Sequence, residues 1–385
     1  MTPVKKWIKS YARFMLPMVP ALALVTPAFA DYTPALNDSQ EPGSVIVFPK
    51  FLTGTQVVDG IVLPSTEIEV GVVCPIGQTC AEHTPIKIRF QWVCPTWETD
   101  LGNSFICKSN NFDVFGSVNG KIVFDPQNMT ITGSNSVNVA TPPCSMGYLI
   151  GWVIRPSDDS PVAYDALVGD AVIRESGTAV GTYNAIPIQS VSGTTSGDPT
   201  KTVVISTVSA GGGLPQKLAF DGAANHYKAV TGVVIGDVKF DNPTASSGFP
   251  IASTSYLTLL TLDVLTDFPN NPVEVDFNFW NESNELSTSS PLQEKLLSTS
   301  FEFICWTEVP LSMIDPNLTQ SQMGSRKGVF QSFPANKFTF ANTGDHTGPT
   351  TLLGLVETME NGNARSYFSA MENDSKPVPT YFLPE

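Results

Sequence analysis

Three histidines, His83, His226 and His346, are the candidate general bases of this chain, and each stands among turn-forming residues, in "AEHTP", "DGAANHYK" and "GDHTG". A serine nucleophile would need such a base in reach and a strained, exposed turn to present it. "GDHTG" carries no G-x-S-x-G elbow, so all three are expected as loop histidines rather than members of a triad. The other chemistry a secreted protein commonly carries is a pair of carboxylates flanking a glycosidic bond, roughly 5 to 10 Å apart. Glu67, Glu69, Asp170 and Glu175 are the acids considered for it. Alternation in "TEIEV" puts Glu67 and Glu69 on one strand face, where a solvated pair is the default.

Six cysteines, Cys74, Cys80, Cys94, Cys107, Cys144 and Cys305, form an even set in a chain that begins like an exported one. Disulfides are therefore expected. The pairing predicted is Cys74 with Cys80 across a turn, Cys94 with Cys107 across a loop, and Cys144 with Cys305. "CPIGQTC" lacks zinc-ligand spacing, so no metal centre and no cofactor is predicted. Calcium is the alternative, in the acidic loops "SDDSP", "FDGAAN" or "MENDS", none of which follows an EF-hand pattern. Trp97, in a loop that the second pair would close, is the candidate binding residue, as an aromatic anchor for a sugar or a protein partner. The remaining mature tryptophans, Trp92, Trp152, Trp280 and Trp306, read as core.

The elements that must hold these residues are strands. "PIKIRFQWV" alternates Ile86, Ile88, Phe90 and Trp92 with Lys87, Arg89 and Gln91, and "PVEVDFNFW" alternates Val273, Val275, Phe277 and Phe279 with Glu274, Asp276 and Asn278. The Asn-Gly of "VNGK" predicts a hairpin, and "SDDSP" and "ENGN" predict further reversals. Helix is expected only over "SPLQEKLLSTS", capped by Ser290, and over "DPNLTQSQMG". Ahead of all this stand Lys5, Lys6, Lys9 and Arg13, an apolar run, and "TPAFA". That is a secretory leader, with cleavage expected after Ala30. The apolar run, interrupted by Pro17 and Pro20, is shorter than the roughly 20 residues a membrane span requires. The 36 acidic against 21 basic residues give a formal charge of −15, which repels phosphate backbones and argues against a nucleic-acid partner.

The chain also echoes itself. "GSVIVFPKF" resembles "GVVIGDVKF", and Leu167, Gly169, Glu175, Gly177, Ala179 and Ala185 match Leu352, Gly354, Glu360, Gly362, Ala364 and Ala370. Pro85 and Phe90 match Pro272 and Phe277. Asp125 and Pro126 match Asp315 and Pro316; Met146, Gly147 and Gly151 match Met323, Gly324 and Gly328. Collinear windows of this kind predict an internal duplication. The expected architecture is all-β: two tandem β-sandwich domains, immunoglobulin-like or jelly-roll-like, with little helix. The leader would occupy residues 1–30, the first domain 31–190, a Gly/Ser/Thr-rich linker 191–216 and the second domain 217–385. Between the copies, the outward Lys87 and Arg89 correspond to Glu274 and Asp276, a reversal of charge that would orient assembly if the two faces met.

"GSVIVFPKF", "CPIGQTC", "GYLIGWVI", "LVGDAVIR", "FDGAANHYKAVTG" and "FICWTEVPL" together resemble a family of uncharacterised exported bacterial proteins. The resemblance covers nearly the whole mature chain. It implies export, to the periplasm or the exterior, and a mainly β architecture, with no activity or site residue to carry over. The sequence thus points to a non-enzymatic structural, adhesive or binding protein, taking a protein or glycan ligand at loops and sheet edges. The alternative is a hydrolase whose acids converge only in the fold.

Overall fold

A strand buried on one face alternates apolar and polar residues, whereas a strand buried on both reads as a continuous apolar run. Both kinds occur here. The computed structural model describes residues 38–382 apart from 39, 55–56, 59–60, 63, 99–103, 127–129, 133–138, 176–177, 210–215, 231–232, 243–252, 263–265, 267–271, 282–295, 335–350, 361–363 and 371–379. The leader, His346 and "MENDS" therefore lie outside the described residues.

The first half contains β1 (Val45–Leu52), β2 (Val57–Val58), β3 (Ile61–Val62), β4 (Ser65–Val72), β5 (Pro85–Glu98), β6 (Ser104–Ser117), β7 (Gly120–Asp125), β8 (Thr130–Thr132), β9 (Met146–Ile154), β10 (Leu167–Glu175), β11 (Thr178–Asn184) and β12 (Ile186–Ile188). A connecting region follows, with a 3-10 turn at Pro199–Lys201, β13 (Thr207–Ser209) and β14 (Gln216–Ala219). The second half contains β15 (Val234–Lys239), β16 (Ser253–Leu260), β17 (Val273–Asn281), β18 (Leu296–Phe303), β19 (Trp306–Pro310), α1 (Leu311–Ile314), α2 (Gln320–Met323), β20 (Lys327–Pro334), β21 (Leu353–Glu360), β22 (Ala364–Ala370) and β23 (Thr380–Phe382). The fold is all-β and sandwich-like, its sheets open and its strand ladders antiparallel.

Strand order makes the two halves sisters. In the first, one sheet runs β12-β1-β9-β5-β6 and the other β11-β10-β4-β7-β8; in the second, the sheets run β15-β20-β17-β18 and β22-β21-β16-β19. Replacing β1, β9, β5 and β6 by β15, β20, β17 and β18, and β11, β10, β4 and β7 by β22, β21, β16 and β19, converts one module into the other. The matched pair Gly169 and Gly354 serves the same purpose in both modules. A side chain at Gly169 would press on the carbonyl of Glu69, and one at Gly354 on the carbonyl of Thr258, the counterpart of Glu69.

Two matched windows do not correspond in space. Met146 and Gly147 lie in β9, but Met323 ends α2 and Gly324 is its left-handed cap. Gly151 pairs with Phe90 while Gly328 pairs with Asn281, beyond Phe277 where the counterpart of Phe90 sits. Asp125 ends β7, whereas Asp315 follows α1, past the end of the equivalent strand β19. Short, common residue pairs matched there by chance.

The predicted alternation holds: Ile86, Ile88, Phe90, Trp92, Val273, Val275, Phe277 and Phe279 are fully buried. By contrast β1 is buried throughout, and β9 in every position after Met146. The inward residues of β1, including Ile46, Phe48 and Phe51, join the first module's core between its own sheets. Val45 and Val47 face outward, with Tyr148, Ile150 and Trp152 of β9, into a second cluster. That cluster takes Ile205, Leu218, Phe220 and Tyr227 from the connecting region and Leu260, Trp306 and Leu353 from the second module. The second module keeps a core of its own around Phe240, Phe277, Phe279 and Phe330. The stretch 191–216, expected as a linker, contributes buried Thr202 and Ile205 among its described residues, and β13 pairs with β14. With the shared cluster between the modules, Pro34–Glu385 forms one compact unit.

Some local expectations are corrected. The Asn-Gly turn does not close a hairpin within one sheet. Asn119, at φ 62°, carries the chain from β6 in one sheet to β7 in the other, its N–H donating to Val72 O. Leu296–Ser300, predicted as the end of a helix, belongs to strand β18, whose register with β17 overrides local propensity; Ser290 lies outside the described residues. The second predicted helix does form, as α2 capped by Thr319. Trp280 faces outward and is only half-buried, unlike Trp92, Trp152 and Trp306.

The disulfides are Cys74–Cys80, as predicted, and Cys94–Cys144 and Cys107–Cys305, which replace the two predicted pairs. Cys107 stands opposite Pro95, one residue beyond Cys94, so pleating sends the two cysteines to opposite faces of the sheet. Cys94 points to the first module's core side, where Cys144 packs, and Cys107 points into the shared cluster with Cys305. These bridges fit a non-reducing, exported environment. Among the described residues no helix is long and apolar enough to cross a membrane.

Cys107–Cys305 spans 198 residues of sequence and joins the modules. A loop of that length implies a stabilisation of about 5 kcal/mol by the chain-entropy estimate, with about 2–4 kcal/mol typical of measured bridges. Non-reducing peptide mapping should recover Cys94 linked to Cys144 and Cys107 to Cys305. The Cys107→Ser/Cys305→Ser protein should unfold at lower denaturant by an amount within that range, and an unchanged midpoint would contradict the assignment.

Candidate functional site

Cross-strand neighbours on one face of an antiparallel pair have Cβ atoms about 5 Å apart. β4 and β10 use this to assemble acids separated by about a hundred residues of sequence. Glu69 stands directly across from Asp170, and Glu67 across from Val172. All are on the outward side, because the alternate residues Thr66, Ile68 and Val70 are buried. A cavity of about 460 Å³ opens here, lined by Glu41, Glu69, Lys121, Asp170 and Asn184 among others. Lys121 pairs with Glu69, and Arg174 with Glu67 at 2.8 Å. Burial, followed by the negative charge of Glu69, raises the Asp170 carboxyl above its ordinary value. The structure thus unites three of the four acids considered, Glu67, Glu69 and Asp170. Glu175 ends β10 across from Thr178, and its side chain lies outside the described residues.

A second cavity of about 340 Å³ lies between the Cys74–Cys80 loop and residues 189–194. Its floor is Asp165, whose carboxylate accepts hydrogen bonds from Ser44 Oγ at 2.6 Å, Ser190 N at 2.8 Å and Ser190 Oγ at 3.0 Å. Burial raises this carboxyl, and those hydrogen bonds oppose the rise. Gln78 Nε2 donates to Thr194 O at 2.9 Å, bracing the disulfide loop, whose Ile76 projects 71% exposed at the rim. Sequence reasoning missed Asp165, because only the close approach of β1, β12 and residues 163–166 makes it a shared acceptor.

The two described histidines, His83 and His226, are loop residues. His83 is exposed, 3.7 Å from Glu82. His226 Nδ1 lies 2.8 and 3.0 Å from the two carboxylate oxygens of Asp221, which also accepts from Ala223 N. This ties the "DGAANH" turn to itself. Trp97 is not on a loop: it sits in β5 across from Phe105, with a side chain outside the described residues. In "SDDSP" and "FDGAAN" the aspartates are engaged by Arg155, Lys87, Arg89 and His226. Among the described residues no group of three or more His, Cys, Asp and Glu is placed to hold a metal ion.

Lys87 and Arg89 do not meet Glu274 and Asp276. They are held within their own module by Asp113 and Asp159 at 2.6–2.9 Å. Burial acts to raise the Asp113 carboxyl, but hydrogen bonds from Arg89 and Lys87 outweigh it and set it below the ordinary value of 3.8. The Lys87 hydrogen bond does the same for Asp159.

The most buried ionic cluster joins the modules instead. Lys50 of β1 is 2% exposed, and its Nζ lies 2.6 Å from Glu308 of β19 and 2.8 Å from Glu357 of β21. Beside it, Trp306 Nε1 donates to Pro49 O at 2.8 Å, and Tyr183 hydroxyl donates to Lys50 O. Lys50 was visible in sequence only as the lysine of "PKF", matched by Lys239 in "VKF".

Replacing Lys50 by Met removes the ammonium that bridges the Glu308 and Glu357 carboxylates, and urea denaturation should show a loss of about 3–5 kcal/mol. The Lys50→Met/Glu308→Leu/Glu357→Met protein should regain most of it, because the carboxylates are removed together with their cation. Asp113 and Asp159 titrate lower folded than unfolded, so their contribution is present above about pH 4 and is lost as pH falls through the depressed folded values. An Asp113→Asn/Asp159→Asn protein should therefore melt below wild type at neutral pH, the gap narrowing in strong acid.

Neither protein-family models nor curated proteins match this chain.

Proposed function

We propose that this is an exported, non-enzymatic protein with a structural, adhesive or binding role at the cell surface or in secreted material. The observation that carries it is the welding of two sister modules into one body. The Cys107–Cys305 bridge, the Lys50–Glu308–Glu357 cluster and the shared apolar cluster all oppose relative movement. An enzyme built on two domains commonly works by hinge closure around a cleft; a body fixed at its own joint suits a building or docking element.

The site chemistry agrees. Glu67 and Glu69 are each engaged by a cation, and the described residues that line the cavity beside Glu69 and Asp170 include no aromatic platform for a sugar ring. The rigid Cys74–Cys80 loop with exposed Ile76 supplies a recognition element, with an apolar contact at low entropic cost. Glycan-array and surface-binding measurements beside a panel of glycosidase, esterase and peptidase substrates test the reading. Binding without turnover is expected. Turnover that disappears in Glu69→Gln or Asp170→Asn would replace it with a hydrolase.

A further inference from the structure

One carboxylate balances one ammonium, yet Lys50 Nζ faces two, Glu308 Oε1 at 2.6 Å and Glu357 Oε2 at 2.8 Å. The side chains of Lys50 and Glu357 are each 3% exposed and that of Glu308 is 19% exposed, so the cluster is largely shut off from solvent. The lysine is also pinned from behind, because Tyr183 hydroxyl donates to Lys50 O and Trp306 Nε1 to Pro49 O. An amine fixed against one carboxyl group, with a second at hydrogen-bond distance from the same nitrogen, meets the positional and proton-transfer needs of amide condensation.

A fourth group completes the arrangement. Thr258 of β16 stands directly across from Glu308, and its Oγ1 is buried without a hydrogen-bond partner among the described residues. It lies on the interface side of the sheet, as Glu308 does, because the alternate residues Leu257 and Leu259 enter the second module's own core. A buried hydroxyl left unsatisfied costs stability. It gains a use if negative charge develops beside it, as on the oxygen of a carboxyl group under attack.

We propose that this cluster is a self-cross-linking site: Lys50 Nζ and Glu308 Cδ condense to an amide that joins the two modules, with Glu357 carrying the protons and Thr258 donating to the oxyanion. The ammonium passes a proton to the Glu357 carboxylate, and the freed nitrogen lone pair forms a bond to Glu308 Cδ. One Glu308 oxygen takes up negative charge on the side of Thr258. Glu357 moves two protons in turn from the nitrogen to the other oxygen, whose bond to Cδ breaks as it leaves as water. No electron is gained or lost, and Glu357 ends as the carboxylate it began, now accepting from the amide N–H. Both charges of the Lys50–Glu308 pair vanish, and their desolvation cost with them. The water departs past Glu308, the more open of the two acids. The ion-paired cluster is the reactant, held by newly folded chains, and the urea comparison above applies to it. The cross-link extends the structural reading of the protein without depending on it.

Intact-mass and tandem mass spectrometry of the mature, disulfide-bonded protein, sampled over time after folding, test this. Wild type should become one water lighter, and its digest should yield a branched peptide joining Lys50 to Glu308. Asp59-Gly60 and Asp221-Gly222 can also shed water as succinimides, so the branched peptide decides. Lys50→Arg and Glu357→Met should stay open, whereas Glu308→Gln should close with loss of ammonia in place of water. Thr258→Val, which removes only an unpartnered hydroxyl, should close roughly 100-fold more slowly with no drop in melting temperature. Peptide mapping of the Cys107–Cys305 bridge shows whether the modules of a variant still dock. Should a variant fail to dock, the wild-type digest and Thr258→Val carry the test. A wild type that never yields the branched peptide overturns the proposal, and so does closure at an unchanged rate in docked Glu357→Met. Ligand binding by a chain that stays open would sink the cross-link and leave the parent reading intact. Hydrolytic turnover by a cross-linked chain would do the reverse.

Discussion

An ammonium group removed from water must keep counter-charges at hydrogen-bond distance, and Lys50 finds both of its carboxylates in the other half of the chain. That requirement fixes much else. It sets how β1 lies against β19 and β21, and with it which face of the first module is covered. A buried pair of this kind adds little net stability over a well-packed apolar contact, but a joint shifted by one residue would bury Glu357 beside no cation. The cluster specifies the docking, and the surrounding apolar cluster and the Cys107–Cys305 bridge supply the strength.

Covering one face of the first module explains why its central strands differ from their counterparts. β1 and β9 are apolar on both sides, because each side packs. β15 alternates, with Val234 and Val238 inward and exposed Asp237 outward, because only its inner side packs. Two modules of one topology thus differ in surface rather than in core. The connecting region takes part in this division, placing Phe220 and Tyr227 against Ile150 and Trp152 instead of spacing the modules apart.

Ionic groups elsewhere are largely consumed by the architecture. Lys87 and Arg89 bind Asp113 and Asp159 across neighbouring elements of one module, and Asp165 gathers Ser44 and Ser190 at a junction of three segments. These pairings remove from the surface the charges that the sequence displays most plainly.

The all-β class, the inward faces of β5 and β17, the short disulfide at Cys74 and Cys80, and the sister relation of the halves were all legible in the order of residues. They follow from side-chain periodicity and local spacing, which a linear chain displays directly. The partners of Cys94 and Cys107 were settled only by folding. Whether two cysteines on paired strands face each other depends on a register that shifts by single residues, and here it separates them by one. The same holds for Asp170 across from Glu69, for Asp165 beneath Ser190, and for Lys50 between Glu308 and Glu357. Each contact joins residues distant along the chain through the order in which strands assemble, and that order is set by the packing of whole sheets, not by any segment's own pattern.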